Sequence, residues 1–182
     1  MRIVAFDLET SDLKALMGRM FCCSFCPIID GQPHKPYTFR LDDPKYRGRT
    51  LTDDSQLAAA VARELERYHM IVGWNSKLFD LPFLNARLSK VSGQICRPQF
   101  HLDLMYYAGG CSLRIGSKRL DNVQRFLRLS TAKTPIEWDD WSAVATGDKA
   151  SMNRVVQHCE ADVKVLAEAY WRLLPNVANI HR

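Results

Sequence analysis

The sequence predicts a single α/β domain, residues 1–182, built on a mixed sheet of three antiparallel strands followed by parallel strands, with helices on its faces. Apolar runs joined by short connections fill the N-terminal part of the chain, which is typical of antiparallel strands. Helical segments and short apolar runs alternate after them, which favours parallel strands joined through helices. The composition, 47% hydrophobic and 25% charged, is that of an ordinary globular domain.

The N-terminal strands are predicted to form an antiparallel meander. Residues 2–7 have the pattern of a buried strand, and Met20–Ile29 has that of a second. A turn signal at Asp30-Gly31 leads into a third strand over residues 34–41. Two short connections between such runs indicate antiparallel neighbours.

Helices and short strands follow in alternation. Leu57, Val61 and Leu65 form one apolar stripe on a helix predicted over residues 55–68, with Thr52, Asp53 and Ser55 as candidate caps. The later elements are a strand at 70–73, a helix at 81–88, a strand at 100–105, and helices at 120–127 and 149–174. The last helix has the clearest apolar stripe: Val156, Cys159, Val163, Leu166, Tyr170 and Leu173.

Several classes of protein are disfavoured by the sequence. No apolar stretch approaches the roughly 18–20 residues that span a bilayer, so no membrane partner is expected. The first predicted strand leaves no room for a signal peptide, which predicts a cytoplasmic protein. Cys23 and Cys26 have the spacing of zinc ligands, but no second pair of ligands answers them. The six cysteines, at 22, 23, 26, 96, 111 and 159, are therefore expected to be free thiols.

Positive charge is concentrated in one segment. The net charge is +5, and residues 86–133 carry nine Lys or Arg against two Asp, which gives this segment +7 and leaves −2 for the remainder. A basic sector beside acidic residues suits a polyanionic partner, and a solvated basic face is the alternative. The nine are Arg87, Lys90, Arg97, Arg114, Lys118, Arg119, Arg125, Arg128 and Lys133.

Two carboxylates close the first strand. Asp7 and Glu9 follow the apolar run 3–6, and residues two apart in a strand point to the same face. Such a pair repels itself unless a cation lies between its members, and a hard divalent ion with oxygen ligands meets that need. A solvated strand end is the alternative.

Two later segments offer partners for this pair. Asp80 follows the strand at 70–73 and precedes a helix, where a helix cap is the alternative role. His158 and Asp162 lie four residues apart on one face of the last helix, where a surface pair is the alternative. Asp103, near the end of the strand predicted at 100–105, is expected to be structural. Trp138-Asp139-Asp140-Trp141 is predicted to be a loop that contacts bases or packs over the last helix.

These segments resemble the motifs of the DEDD superfamily of 3′→5′ exonucleases, which have a ribonuclease H-like fold. Phe6-Asp7-Leu8-Glu9-Thr10 is similar to the first motif, and His158 to Val163 occupies the position of the third. The segment from Gly73 to Leu84 is similar to the second motif in the proofreading domains of family B DNA polymerases. Leu120-Asp121-Asn122-Val123 with Phe126-Leu127 also resembles the segment between those motifs. The resemblance covers nearly the whole chain.

One position departs from the family pattern. The family has either Tyr four residues or His five residues before the last Asp, whereas this sequence has His158 at the tyrosine spacing. Imidazole can accept a proton near neutral pH, and a tyrosine more often orients the attacking water. His158 as a base and His158 as a residue that positions water therefore both stay open.

The resemblance implies a two-metal site and a nucleotide subsite. Asp7, Glu9 and Asp162 are expected to hold one divalent ion, Mg²⁺ or Mn²⁺, and Asp80 to support a second. Two such ions suit phosphodiester hydrolysis. By the same likeness, Leu8, Thr10, Asn75 and Phe79 are expected to contact the terminal nucleotide. Core packing is the alternative for Phe79.

The predicted function is a metal-dependent 3′→5′ exonuclease that acts on single-stranded DNA ends and releases nucleoside monophosphates. The residues left over cannot contain a polymerase, so a role in replication or repair needs a partner protein. Alternatives are an exoribonuclease that trims RNA 3′ ends, a structure-selective endonuclease, and a catalytically silent nucleic-acid-binding module.

Overall fold

The sheet is organised around β1 (Ile3–Thr10). The computed structural model describes residues 1–50, 52–109, 113–131 and 134–177. β1 pairs antiparallel with β2 (Met20–Ile29) along its whole length and parallel with β5 (Met70–Gly73) over only its first three residues. β6 (Phe100–Asp103) lies parallel to β5 on the far side. The carboxyl end of β1 therefore extends past β5 and is free to carry a site.

The third predicted strand is wrong in its extent. The structure has two short strands there, β3 (Gln32–Pro33) and β4 (Tyr37–Arg40), and both pair antiparallel with β2. Pro36 lies between them and lacks the N–H that a continuous ladder requires. The sheet order is β3-β2-β1-β5-β6, with β4 also on β2. The predicted mixed sheet of antiparallel and parallel strands is confirmed.

Six α-helices are seen among the described residues. Four of them were predicted from the sequence with ends within four residues of those observed, and the ends differ because helix termini fray and cap locally. The bounds are α1 Ser55–Leu65, α2 Asp80–Ser92, α3 Met105–Gly109, α4 Leu120–Phe126, α5 Trp138–Ala145 and α6 Lys149–Leu173, followed by a 3₁₀ turn at Leu174–Asn176.

Two local predictions are wrong for identifiable reasons. The strand predicted to reach residue 105 ends at Asp103, because the Asp103 carboxylate accepts the Met105 N–H and begins α3. The predicted loop around Trp138 is instead the start of α5. Asp139 and Asp140 lie in its first turn, where negative charge stabilises a helix.

Of the predicted caps of α1, Asp53 accepts the N–H of Ser55, the first residue of the helix, at 3.1 Å. Asp54 occupies the N-cap position, but its own side chain makes no cap hydrogen bond. The Asp54 carboxylate is turned inward, where it accepts the Met20 N–H at 2.8 Å. Asp148 does cap α6, accepting the Ser151 N–H at 2.6 Å.

Apolar side chains fill both faces of the sheet. One cluster packs α1 and α2 against β1 and β2, and the other packs α4 and the C-terminal half of α6 against β5 and β6. The N-terminal half of α6 lies against the first cluster, so this helix spans both. The five described cysteines are buried free thiols, as predicted, and Cys111 lies outside the described residues. No helix within the described ranges is long and apolar enough to cross a membrane.

Candidate active site

The end of β1 meets the middle of α6. Asp7 and Glu9 are half-buried and stand two residues apart on β1, opposite Ser24 and Cys22 of β2. Nε2 of His158 on α6 lies 4.0 Å from Oε1 of Glu9 and 3.9 Å from Oδ2 of Asp162. The strand period of two and the helix spacing of four thus bring these predicted residues to one place.

The ring of His158 is oriented from outside the helix. Its Nδ1 lies 2.7 Å from the carbonyl oxygen of Thr134, and its ring packs edge-on against Trp141 with centroids 6.1 Å apart. The Thr134 hydroxyl also approaches Nδ1, at 3.3 Å, and can donate or accept. A carbonyl oxygen only accepts hydrogen bonds, so the shorter contact assigns the proton to Nδ1. In the neutral ring the lone pair is therefore on Nε2, the nitrogen that faces Glu9 and Asp162.

Cys159 on α6 lies close to Asp7 and Glu9. Its thiol is fully buried and lies 3.4 Å from the carbonyl oxygen of Asp7 and 3.6 Å from Asp7 Oδ2. Ligand atoms of Asp7, Glu9 and Cys159 all lie within 4.8 Å of one another. Burial raises the pKa of the thiol well above its ordinary value, so at neutral pH it stays protonated and donates to Asp7. The sequence did not single out this thiol for the site.

Asp80 is held against β1 rather than inside that tight cluster. It is the first residue of α2, only 4% exposed, and its Oδ1 accepts the Leu8 N–H at 3.0 Å. That N–H is available because β5 pairs with β1 only as far as Ala5. Burial raises the pKa of the Asp80 carboxyl to about 7, against the opposing effect of the Leu8 hydrogen bond. A nearby cation would favour its ionised form.

The loop between β5 and α2 is fixed by Asp103. Its carboxylate accepts backbone N–H groups from Asn75 at 2.9 Å and Lys77 at 3.0 Å, in addition to that of Met105. This supports the structural role expected for Asp103. Asn75 adopts a left-handed backbone with φ 61°, which asparagine tolerates better than most residues. Gly73 is required because a Cβ there would lie 1.9 Å from Ser76 Oγ.

A cleft of ≈ 380 Å³ opens beside the carboxylates. Its walls include Leu8, Thr10 and Phe79, three of the four predicted nucleotide contacts, and also Trp138 and Trp141. Asn75 is not among the residues that line it. Leu8 is 5% exposed and mainly a core residue, whereas Phe79 is half-buried and packs on the core while it faces the cleft.

The two tryptophans that line the cleft, Trp138 and Trp141, were only partly predicted from the sequence. Trp138 and Trp141 are three residues apart, so α5 directs both toward the cleft. Trp138 is 77% exposed, which is unusual for so large an apolar side chain. The sequence offered base contact or packing for this pair, and the structure gives Trp141 a packing contact with His158.

The basic residues of segment 86–133 do not all lie on the surface. Arg87 is buried and forms an ion pair with Asp54, with Nη2 2.6 Å from Oδ1, so it belongs to the core. Arg119 and Arg125 have side chains that are 80% and 73% exposed, and both lie within 3.6 Å of Asp121. Lys133 lies outside the described residues.

The fold and the carboxylate site define a ribonuclease H-like domain. The chain belongs to the RNase H superfamily, whose family model matches residues 4–174. Membership supports a nuclease-type activity, a nucleic-acid substrate and the use of divalent metal ions.

A solved structure gives the same fold. The family B DNA polymerase from the hyperthermophilic archaeon Pyrobaculum calidifontis superposes with a TM-score of 0.72 at 18% sequence identity. The match covers 96% of this chain and 24% of the polymerase, so the chain spans about a quarter of that protein's length. The predicted likeness to a family B polymerase domain is thereby confirmed for the fold. A comparison with curated protein sequences gives no match.

Proposed function

We propose that this protein is a metal-dependent 3′→5′ exonuclease that hydrolyses single-stranded DNA from its 3′ end. One observation carries the proposal: β1 and α6 bring Asp7, Glu9, His158 and Asp162 together, and Glu9 also lines a cleft whose walls include aromatic side chains. A site that combines acidic ligands with exposed aromatic rings suits a phosphodiester whose bases are unpaired.

The residues present fit divalent metal ions. Asp7, Glu9 and Asp162 offer carboxylate oxygens, the donors that Mg²⁺ and Mn²⁺ prefer. Asp80, buried beside the Leu8 N–H, is proposed to support a second ion. When bound, two such ions supply charge stabilisation for phosphodiester hydrolysis. Without cations these carboxylates repel one another, which favours a site that binds metal before substrate.

The chain's own side chains position the substrate. Phe79 and Trp138 face the cleft and offer flat apolar surfaces on which unpaired bases can stack, with little preference for sequence. His158 directs Nε2 toward Glu9, a residue that lines the cleft, and toward Asp162. The β1–β2 connection closes one side through Ser11, Asp12 and Leu13.

DNA is proposed over RNA because a solved structure with this fold is a DNA polymerase. An RNA-trimming activity, internal cleavage and binding without cleavage are outcomes that the following experiment separates.

The test uses 5′-labelled single-stranded DNA and RNA of equal sequence with Mg²⁺, Mn²⁺ or EDTA. A metal-dependent ladder that shortens from the 3′ end on DNA is expected. Asp7→Asn should abolish it, because the substitution removes a negative ligand. Asp30→Asn is the matched control: Asp30 is exposed in the β2–β3 turn at φ 50°, a conformation that asparagine accepts readily.

Other outcomes would overturn the proposal in distinct ways. A ladder on RNA alone would reassign the substrate. Cleavage of circular single-stranded DNA would show endonuclease activity, because a circle has no 3′ end. Oligonucleotide binding with no cleavage under either metal would indicate a silent binding module.

A further inference from the structure

The imidazole of His158 is held as a metal-ligating histidine usually is. Its Nδ1–H is bonded to the Thr134 carbonyl oxygen at 2.7 Å, and its Nε2 points at carboxylates. In metal sites the second ring nitrogen of a histidine ligand commonly donates to a backbone carbonyl or a carboxylate, which fixes the tautomer and the direction of the lone pair. The contact with Trp141 restrains the ring from the side.

The two distances from His158 Nε2 to the carboxylate oxygens are short enough for one ion to bind both partners of each pair. Ligand atoms that lie about 2.0–2.2 Å from one ion can be at most about 4.4 Å apart. Nε2 of His158 lies 4.0 Å from Glu9 Oε1 and 3.9 Å from Asp162 Oδ2, and these two oxygens come from different elements, β1 and α6. One ion among the three atoms would join the strand to the helix.

We propose, on the basis of the proposed function, that Nε2 of His158 directly ligates the ion held by Glu9 and Asp162. The site then has a mixed nitrogen and oxygen donor set. Carboxylates suit both Mg²⁺ and Mn²⁺, whereas an imidazole nitrogen adds affinity for transition-metal ions, of which Mn²⁺ is the weakest binder of the first-row series. The chain is therefore built to prefer a transition-metal ion such as Mn²⁺ over Mg²⁺ to a degree that depends on His158.

The lone pair of Nε2 cannot serve two partners at once. A nitrogen that ligates the ion cannot also accept a proton from water, so this role excludes His158 as general base while the ion is bound. Cys159 is not part of the ligand set, because its thiol is fully buried and donates to Asp7. The proposal concerns one nitrogen, which makes it testable by the nuclear spin of ¹⁴N.

The test measures metal binding by the full chain in the absence of nucleic acid. Mn²⁺ is titrated and followed by electron paramagnetic resonance, Mg²⁺ affinity is obtained by competition, and bound Mn²⁺ is examined by pulsed resonance for directly bound ¹⁴N. Wild type should show ¹⁴N coupling. His158→Tyr should lose it and bind Mn²⁺ at least about tenfold more weakly, with Mg²⁺ affinity changed by less than about twofold.

His34→Asn is the matched control, because His34 is exposed at the edge of β3 and its loss should alter neither affinity nor coupling. Metal-free thermal unfolding of each variant establishes that it is folded, and His158→Asn provides a second, smaller replacement. The proposal is overturned by absence of ¹⁴N coupling in wild type, by its persistence in both His158 variants, by equal losses of Mn²⁺ and Mg²⁺ affinity, or by failure of wild type to bind Mn²⁺.

These outcomes are separate from those of the nuclease assay. A protein that binds Mn²⁺ through nitrogen but leaves oligonucleotides intact would retain this inference and lose the proposed exonuclease function. A protein that produces a 3′ ladder without ¹⁴N coupling would retain the function and return His158 to the role of base or water-positioning residue.

Discussion

At the scale of single residues, Cys159 links the core to the acidic site. Its thiol is fully buried and approaches both the backbone and the carboxylate oxygens of Asp7. Thiols are weak donors, but this one restrains a carboxylate that is proposed to bind a metal ion. Groups that orient a metal ligand typically contribute 10–100-fold to metal affinity.

We therefore expect Cys159→Ala to bind Mn²⁺ about tenfold more weakly than wild type, because Asp7 loses a donor. Cys159→Ser should remain within a few-fold of wild type, since a hydroxyl replaces the thiol as donor. Mn²⁺ titration of both variants provides the measurement, with denaturant unfolding to separate packing from binding. Equal Mn²⁺ affinities for the Ala and Ser variants would show that Cys159 contributes only to packing.

Trp138 is the second residue whose environment predicts a measurable role. Its side chain is 77% exposed on the wall of the cleft, so little packing depends on it. Base stacking on an aromatic side chain contributes about 1–3 kcal/mol. Trp138→Ala should weaken binding of single-stranded DNA by that amount and leave the free energy of unfolding unchanged.

Fluorescence anisotropy of a labelled oligonucleotide, measured in an Asp7→Asn background that prevents cleavage, tests this expectation. Trp171→Ala is the control, because Trp171 is 52% exposed and packs against Gly31 at the β2–β3 turn. Equal losses for the two tryptophan variants would contradict a stacking role for Trp138.

The sequence predicted which acidic residues lie together better than it predicted the contacts that orient the neighbouring side chains. Asp7 with Glu9, and His158 with Asp162, follow from the periods of a strand and a helix, so their shared faces could be foreseen. The partner of His158 is a backbone carbonyl, which every residue possesses, and Thr134 lies 24 residues away. No local pattern signals such a contact, which is why the orientation of the ring could not be predicted.

At the scale of elements, a buried ion pair attaches α2 to the rest of the domain. Arg87 on α2 binds Asp54 through Nε at 2.9 and 3.0 Å and through Nη2 at 2.6 Å. Asp54 also accepts the Met20 N–H of β2, and Arg87 donates to the Ala15 carbonyl at 3.1 Å. The pair thus joins α2, which carries Asp80, to the start of α1 and to the β1–β2 connection.

Removing one partner should be costly. We expect Arg87→Met to lower the free energy of unfolding by about 3–5 kcal/mol, because it leaves the Asp54 carboxylate buried without its cation. The double variant Arg87→Met/Asp54→Asn should recover part of that loss, because no unpaired charge remains. Denaturant unfolding in a double-mutant cycle measures the coupling, and additive effects would show that the two side chains act independently.

Elements were predicted well where packing periodicity is strong and poorly where local chemistry intervenes. α6 shows its apolar stripe over many turns, and its bounds were foreseen within a residue. The strand predicted over residues 34–41 is interrupted at Pro36, although its residue pattern continues through that position. The strand predicted over residues 100–105 ends at Asp103, which accepts the Met105 N–H. α5 has only eight residues, too few for a period to separate it from a loop.

At the scale of the whole molecule, both faces of one sheet are covered and α6 crosses from one apolar cluster to the other. Asp7, Glu9, His158 and Asp162 of the proposed site lie on β1 and α6, and each of these elements contributes side chains to both clusters. A site built on such elements is held more precisely than one on loops. We therefore expect metal binding and global unfolding to be linked, because an ion that joins β1 to α6 binds only the folded chain.

The pH dependence of global stability is set in part by His101 on β6. It is 4% exposed, its Nε2 lies 2.8 Å from Ser76 Oγ, and burial lowers its pKa to about 4. An unfolded histidine has a pKa of about 6.5, so between about pH 6.5 and pH 4 the unfolded chain binds a proton that the folded chain excludes. His101 therefore costs no stability above pH 6.5, and its unfavourable effect grows as the pH falls toward 4.

The free energy of unfolding is expected to fall by about 3 kcal/mol between pH 6.5 and pH 4, which is the free-energy equivalent of the difference between the unfolded and folded pKa values of His101. His101→Gln should be less stable than wild type at pH 7, because Ser76 loses a well-placed partner, but its stability should fall less steeply as the pH is lowered. The measurement is the difference in unfolding free energy between the two proteins at half-unit pH intervals. Parallel curves would show that His101 is protonated in the folded chain as readily as in the unfolded one.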